Sequence, residues 1–108
     1  MGYPASEELP GRPQRYERSY AVVWSDGDVL GSGRLEARGD RFELHGRETR
    51  LSIPFSEVAG ASIARRQIDR LRGLPVLLLR RGDRAPVRIA SLEGPGVLHE
   101  LARYVEAV

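Results

Sequence analysis

The chain of 108 residues contains no cysteine. Disulfide bonds, iron–sulfur clusters, thiolate–zinc sites and a cysteine nucleophile are therefore excluded. It has only two histidines, His45 and His99, and no cluster of acidic residues accompanies either one, so no metal centre is expected. So few histidines also leave little material for a serine triad. We predict a protein that is not an enzyme and that needs no cofactor.

Long apolar runs are also missing. No stretch approaches the ~20 apolar residues that a membrane-spanning helix needs. Residues 1–19 contain no apolar core of signal-peptide length. We therefore expect a cytoplasmic protein, with the inner face of the membrane as the alternative location.

Lysine is absent, and all 17 basic residues are arginine. The 15 acidic residues are interleaved with them, and the net charge is only +2. A nucleic-acid-binding protein typically has a more one-sided charge, so we expect no nucleic-acid partner. Arginine nevertheless holds carboxylates and phosphates in a bidentate manner, so binding of other anions stays open.

Two regions differ in composition. Residues 1–19 hold three prolines among charged and small residues, without a periodic apolar face, and are predicted to be a flexible arm. Residues 20–108 are predicted to be a single domain, long enough to bury a core without metal or disulfide support.

From Tyr20 onward, short segments of alternating apolar and polar residues are separated by glycine-containing turns. This pattern predicts seven strands. Asp26 and Gly27 are expected to be the central residues of a type I′ turn in the first hairpin. Glycines within the second strand indicate a bend or a close approach of another group. The predicted strands cover residues 20–25, 28–38, 41–45, 51–55, 56–65, 75–80 and 87–89.

The segment Glu93 to Val108 is the one strongly predicted helix. Apolar residues recur in it at spacings of three and four, at Val97, Leu98, Leu101, Tyr104, Val105 and Val108. Such a face must pack against the sheet. The predicted fold class is mainly β with one C-terminal α-helix, a seven-stranded antiparallel partly open barrel or sandwich that the helix caps.

This order of elements resembles the pleckstrin-homology-like superfamily, including its GRAM-like and small bacterial members. The resemblance covers Tyr20 to Val108 and is carried by the hairpin at Asp26-Gly27, the closing helix, and the segments GRLEARGDRFELHG, TRLSIPFSEVAGASIAR, GLPVLLLRRGD and VRIAS. It implies a non-catalytic scaffold that binds phosphoinositide headgroups or protein and peptide partners. Lipid-binding members place basic residues around the first hairpin, whereas this chain has an acidic tip there, residues 25–28.

Apolar residues on both faces of two strands suggest a first candidate site. Leu77 and Leu79 face opposite to Val76 and Leu78, and Ala21 and Val23 face opposite to their neighbours. One interpretation is a partner interface, because exposed apolar patches usually mark one. The other is that a second layer of the fold covers both faces. The interface residues would be Tyr20, Val22, Trp24, Leu77 and Leu79.

The densest group of basic residues gives a second candidate site, formed by Arg65, Arg66, Arg70 and Arg72 in a predicted charged loop of residues 67–74 and its flank. Arginine forks there would bind phosphate or carboxylate groups. The alternative is a solvated loop whose arginines pair with nearby acids.

The functional hypothesis is a binding module that acts through protein contacts, including contacts with a second copy of itself. Its alternative is a peripheral membrane or anionic-ligand module, for example for phospholipid headgroups, that uses the loop from Arg65 to Arg72.

Overall fold

In the computed structural model, which describes residues 18–106, seven antiparallel strands form one curled sheet, a half-barrel that a C-terminal helix closes. The elements are β1 (Arg18–Asp26), β2 (Val29–Ala37), β3 (Arg41–Gly46), β4 (Arg50–Pro54), β5 (Gly60–Ala64), β6 (Val76–Arg81), β7 (Arg84–Ser91) and α1 (Gly96–Glu106). Short 3₁₀ helices cover Phe55–Glu57 and Gln67–Asp69. The sheet order is β4-β3-β2-β1-β7-β6-β5, so β4 and β5 are its edges. The predicted fold class is confirmed, in its partly open form.

Strand β1 begins at Arg18, two residues before the predicted domain boundary at Tyr20. The rest of the predicted arm, residues 1–17, lies outside the described residues, as do residues 107 and 108. The flexibility of the arm therefore stays a prediction.

The first hairpin forms where the sequence predicted it, but its turn differs in type. Asp26 pairs with Val29, so Gly27 and Asp28 are the central residues. Only Gly27 has a positive φ, 60°. A positive φ at the first central position alone is the pattern of a type II′ turn. The type I′ expectation was wrong because it placed the centre of the turn one residue too early.

The glycines of β2 allow the close approach that the sequence indicated. Trp24 of β1 pairs with Gly31 of β2 and is only 1% exposed. A Cβ atom at Gly31 would lie 2.2 Å from the indole carbon Cε2 of Trp24. The missing side chain is therefore what lets the indole lie against β2.

The segment after β4 is only partly a strand. Pro54 pairs with Arg41 at the open edge of the sheet. The chain then turns into the first 3₁₀ helix, which buries Phe55 edge-on against Phe42 with ring centroids 4.9 Å apart. The predicted strand at residues 56–65 is thus reduced to Gly60–Ala64. The backbone N–H of Phe55 donates to the carbonyl of Asp40 (2.9 Å), in register with the pair Arg41 and Pro54, so the pairing continues up to the start of the 3₁₀ helix.

The concave face of the sheet forms the main core together with α1. Leu98 and Leu101 of the helix are at most 1% exposed, which confirms the predicted apolar face within the described residues. The five residues considered for a partner interface belong to this core cluster and are at most 5% exposed: Tyr20, Val22, Trp24, Leu77 and Leu79. They face inward because the sheet curls toward this side and α1 covers it. In the folded chain they are core residues and offer no surface to a partner.

The opposite face of the central strands is covered as well. Val76, Val23 and Ala90 form a second, smaller cluster, against which Leu71 and Leu74 pack from the segment between β5 and β6. Strand β6 is therefore buried on both faces at its start, whereas further along the convex face Leu78 is half-buried and Arg80 is exposed.

Candidate binding surfaces

The open edge of β5 lies beside helix α1. Strand β5 pairs with β6 on one side, and within residues 18–106 no strand pairs with its other side. A groove of about 310 Å³ runs between this edge and the helix. We call it the β5–α1 groove; its lining residues are Ala61, Ser62, Ile63, Arg65, His99, Ala102, Arg103 and Glu106.

The charge of the β5–α1 groove is mainly positive. Arg65 and Arg103 are both exposed, and in the part of the chain that the structure describes neither has an ion-pair partner. The exposed His99 also lines the groove, and Glu106 is the acid among the lining residues. The lining therefore combines the apolar side chains of Ala61, Ile63 and Ala102 with two arginine cations.

The segment between β5 and β6 is more ordered than the sequence indicated; we call residues 65–74 the arginine loop. Leu71 and Leu74 exchange two backbone hydrogen bonds of 3.1 and 2.8 Å. Between them Arg72 and Gly73 both have positive φ, 51° and 74°. These values are those of a type I′ turn. Gly73 is the one signal for this turn, because arginine does not by itself indicate a positive φ.

The four predicted ligand-binding arginines all lie in the arginine loop. One of them, Arg70, uses its side chain for contacts within the loop itself. Arg70 donates through Nε to the carbonyl of Arg65 (2.9 Å) and through Nη1 to that of Gly73 (3.0 Å). It thereby ties the two ends of the loop together. Arg65, Arg66 and Arg72 are exposed and have no ion-pair partner among the described residues.

The exposed apolar side chains are not those of the predicted interface. No sequence pattern had indicated them. Ile68 is 81% exposed in the arginine loop, and Leu30 is 70% and Val29 51% exposed in the first hairpin. Leu92, 48% exposed, borders an apolar pocket of about 450 Å³ between the arginine loop and the start of α1. No periodicity could reveal these residues, because single exposed apolar residues follow no pattern.

The other end of the half-barrel has an acidic tip that is partly neutralised. Arg81 of β6 donates to Asp26 Oδ1 over 2.6 Å, and its side chain is only 4% exposed. The same guanidinium donates to the carbonyl of Ala85 at 2.7 Å. This pair joins the first hairpin to the β6–β7 hairpin. Arg81 is therefore engaged in internal contacts and is not available to an external anion.

Two ionisable groups, Tyr20 and Glu43, have pKa values shifted by their structural contacts. Burial, and next the hydrogen bond to the Glu100 carboxylate (2.9 Å), raise the pKa of Tyr20 well above its usual value. A hydrogen bond from Ser52 is the main cause that lowers the pKa of Glu43. Within residues 18–106 no three His, Asp or Glu side chains are grouped as metal ligands. No helix in that range is long and apolar enough to cross a membrane.

Seven antiparallel strands in one curled sheet, closed by a C-terminal helix, form a fold of the pleckstrin-homology-like class. Comparison with solved structures supports this. The chain is similar to the Vps36 N-terminal PH domain, with a TM-score of 0.64 and 18% sequence identity over 90% of this chain and 86% of that one. It is also similar to the C-terminal domain of an unknown protein from Leishmania infantum, with a TM-score of 0.63 and 13% identity over 82% of each chain.

No protein-family model matches the sequence, and no curated protein matches it. The structural similarity shows a pleckstrin-homology-like fold, as the resemblance in sequence had implied. At these identities the likeness concerns the fold alone.

Proposed function

We propose that this chain is a non-catalytic binding module that captures an extended segment of a protein partner in the β5–α1 groove. The observation that supports this most directly is the open edge of β5 beside the helix. An extended peptide can add to such an edge as a new strand, with backbone hydrogen bonds for affinity and side-chain contacts for specificity.

The two edges of the sheet are not equally suited to this role. Strand β4 ends with Pro54, which has no N–H to donate, and prolines are a common protection of sheet edges. Strand β5 contains no proline, and α1 packs beside it. The β5 edge is therefore the better acceptor for an added strand.

The charges at the groove favour an acidic partner. Arg65 and Arg103 lack ion-pair partners within residues 18–106, and they lie at opposite sides of the groove, one after β5 and one on α1. Carboxylates of a bound segment would pair with these guanidinium groups. A second copy of the chain is the alternative partner, with β5 pairing against β5.

Peptides selected from a displayed library on the full chain would test this proposal. In NMR spectra of the labelled full chain, a selected peptide should shift the amides of Gly60–Ala64 and α1. Arg103→Glu should weaken binding of an acidic peptide several-fold, because a rim charge is reversed. Arg50→Glu on β4 is the matched control and should leave it unchanged. Shifts confined to the hairpin tips would contradict the proposal.

Light scattering on the full chain separates the two kinds of partner. A doubled mass that Arg103→Glu does not change, together with protection of the β5 amides, would favour pairing of two copies. A monomer that binds peptide would favour a different protein.

A second candidate function is binding of an anionic ligand by the arginine loop. The observation in its favour is that Arg65, Arg66 and Arg72 are exposed and have no ion-pair partner in residues 18–106. Such guanidinium groups are available to phosphate. Binding that decreases as salt increases would support this function.

A further inference from the structure

An apolar pocket lies between the arginine loop and the start of α1, and we call it the Leu92 pocket. Its volume is about 450 Å³, and its lining includes Leu74, Pro75, Leu92, Pro95 and Leu98. Among the described residues that line it, only Ser91 has a polar side chain, and its hydroxyl already accepts a hydrogen bond from the backbone N–H of Glu93 (2.9 Å). The Leu92 pocket is therefore suited to apolar side chains.

The surface next to the Leu92 pocket is positively charged. The arginine loop contains four arginines and one acid, Asp69. Arg72 stands two residues before Leu74 in the tight turn that the hydrogen bonds between Leu71 and Leu74 close, and it has no ion-pair partner in the described part of the chain. The first turn of α1 holds no acidic residue, so the positive end of the helix dipole adds to this potential. An occupant of the pocket should therefore carry negative charge beside its apolar group.

The described part of the chain begins close to the Leu92 pocket. The backbone N–H of Ala21 donates to Glu93 Oε2 (2.6 Å), and the carbonyl of Ala21 accepts from the N–H of Leu92 (2.9 Å). Arg18 is the first residue of β1 and precedes Ala21 by three residues, which corresponds to about 10 Å of strand. Its guanidinium lies 3.6 Å from the carboxylate of Glu100 on α1. Residues 1–17 therefore join the domain on the α1 side of this pocket.

Residues 1–17, which lie outside the described residues, contain one short sequence whose chemistry fits the pocket and its surroundings. Glu7 and Glu8 directly precede Leu9 and Pro10. Residues 11–16 instead contain two arginines and no acid, so the arginine loop would repel them. An acidic pair next to an apolar pair thus complements a cationic loop next to an apolar pocket.

The length of the connection permits this contact. Pro10 precedes Arg18 by eight residues, and eight extended residues span about 26 Å at most, more than the ~10 Å between Arg18 and Ala21. A segment tethered this closely has an effective concentration in the millimolar range, so even a weak contact can hold it. The order of the residues also fits. A chain that arrives from the α1 side would place Pro10 and Leu9 in the pocket and bring Glu8 and Glu7 to the arginine loop.

We propose that residues 7–10 bind back onto the domain of the same chain, with Leu9 and Pro10 in the Leu92 pocket and Glu7 and Glu8 facing the arginine loop. Arg72 is the nearest arginine to the pocket and pairs with this acidic residue pair. Residues 11–17 are the connection to β1. The bound segment supplies the arginine loop with carboxylates from its own chain, so an external anion must displace it.

Paramagnetic broadening in NMR spectra of the isotope-labelled full chain tests the proposal. Because the chain has no cysteine, Ser6→Cys gives a single site for a nitroxide label. The label should broaden the amides of Arg72, Leu74 and Leu92 far more than those of residues 26–29. Those residues lie at the other end of β6, which spans about 20 Å.

Substitutions in the labelled chain test the apolar contact. Leu9→Ser with Pro10→Ser should lower the ratio of bound to free segment about tenfold, because a buried leucine side chain is lost, and most of the broadening should disappear. Pro4→Ser with Pro13→Ser is the matched control, since it removes two prolines outside residues 7–10. It should keep the broadening of the parent chain.

An exchange of charges tests the acidic contact. Glu8→Arg should lower the ratio of bound to free segment about threefold, the effect of an exposed ion pair. Arg72→Asp added to the same chain should restore part of the broadening, because the two charges are then exchanged. Aspartate suits position 72 because it tolerates positive φ.

Four results would overturn the inference. Without selective broadening, the segment does not bind the domain. Broadening that survives Leu9→Ser with Pro10→Ser would exclude the Leu92 pocket as its site. Broadening strongest at Ile63 and Ala102 would place the segment in the β5–α1 groove. Broadening of an isotope-labelled chain by a separate nitroxide-labelled chain would mean that a second copy supplies the segment.

Discussion

At the scale of single residues, the contact between Trp24 and Gly31 makes a substitution prediction possible. Gly31→Ala would place a methyl group 2.2 Å from the indole. The ring is buried and cannot move freely, so we expect a loss of about 2 kcal/mol in the free energy of unfolding, within the usual range for overpacking. Urea denaturation monitored by the fluorescence of the one tryptophan measures this directly.

Gly39→Ala is the matched control for this substitution. A Cβ atom at Gly39 would have nothing within 4 Å, and its φ is not positive. Its free energy of unfolding should stay within about 0.5 kcal/mol of the wild type. Equal effects of the two substitutions would show that the indole does not lie against Gly31.

Tyr20 gives the second prediction at this scale, because its phenol donates to Glu100 and joins β1 to α1. Tyr20→Phe should lower the free energy of unfolding by about 1 kcal/mol at neutral pH. The pKa of Tyr20 is raised on folding above the usual 10.0. The stabilisation is therefore present below pH 10.0 and decreases as the pH rises above it.

Urea midpoints of the wild type and of Tyr20→Phe at about pH 8 and about pH 10.5 test the sign of this effect. The wild type should lose more stability than the variant between the two conditions. An equal loss would show that the phenol ionises as readily in the folded chain as in the unfolded one.

At the scale of elements, the stability of the half-barrel depends on the packing of helix α1. Leu101 is 0% exposed and faces the concave side of the sheet. Leu101→Asp would bury a carboxylate without a partner, so we expect the domain to unfold, as judged by the loss of cooperative melting in circular dichroism. His99→Asp places the same charge on the exposed side of the helix and should leave a cooperative transition.

The strands and the helix could be predicted from the sequence because each has a local periodicity. Phe42 and Leu44 alternate with charged residues, and Leu98 and Leu101 recur at helical spacing. The same pattern could not decide which face of β1 lies inside. In β1 the alternate residues that begin at Tyr20 are largely apolar, and so are those that begin at Ala21. Only the curl of the whole sheet determines that the set with Tyr20 faces inward.

The candidate sites were less predictable for a related reason. The four arginines of the arginine loop are adjacent in sequence, but the inward contacts of Arg70 depend on a turn at Arg72 that requires positive φ in a residue other than glycine. The β5–α1 groove joins residues about forty positions apart, such as Ile63 and Arg103. No local pattern carries that information.

At the scale of the whole molecule, the half-barrel has two chemically different ends. The arginine loop lies at one end, with three arginines that have no ion-pair partner among residues 18–106, while at the other end Arg81 contacts Asp26 and Ala85. The β5 edge runs alongside β6 between these ends. This separation means that the pair at the acidic end can be disrupted without touching either proposed binding surface.

Asp26→Asn should therefore affect stability alone. It keeps an acceptor oxygen but removes the charge that balances Arg81, whose side chain is 4% exposed. Removing one partner of a buried pair costs about 3–5 kcal/mol, and the partial exposure of Asp26 (26%) reduces our expectation to about 2 kcal/mol.

Asp28→Asn is the control for this change, because Asp28 is exposed in the same turn and has no ion pair among residues 18–106. It should change the free energy of unfolding by less than about 0.5 kcal/mol. Urea denaturation of both variants measures these changes in the free energy of unfolding. Equal midpoints would mean that Arg81 is stabilised by the Ala85 carbonyl and solvent, and that the two hairpins are not joined through Asp26.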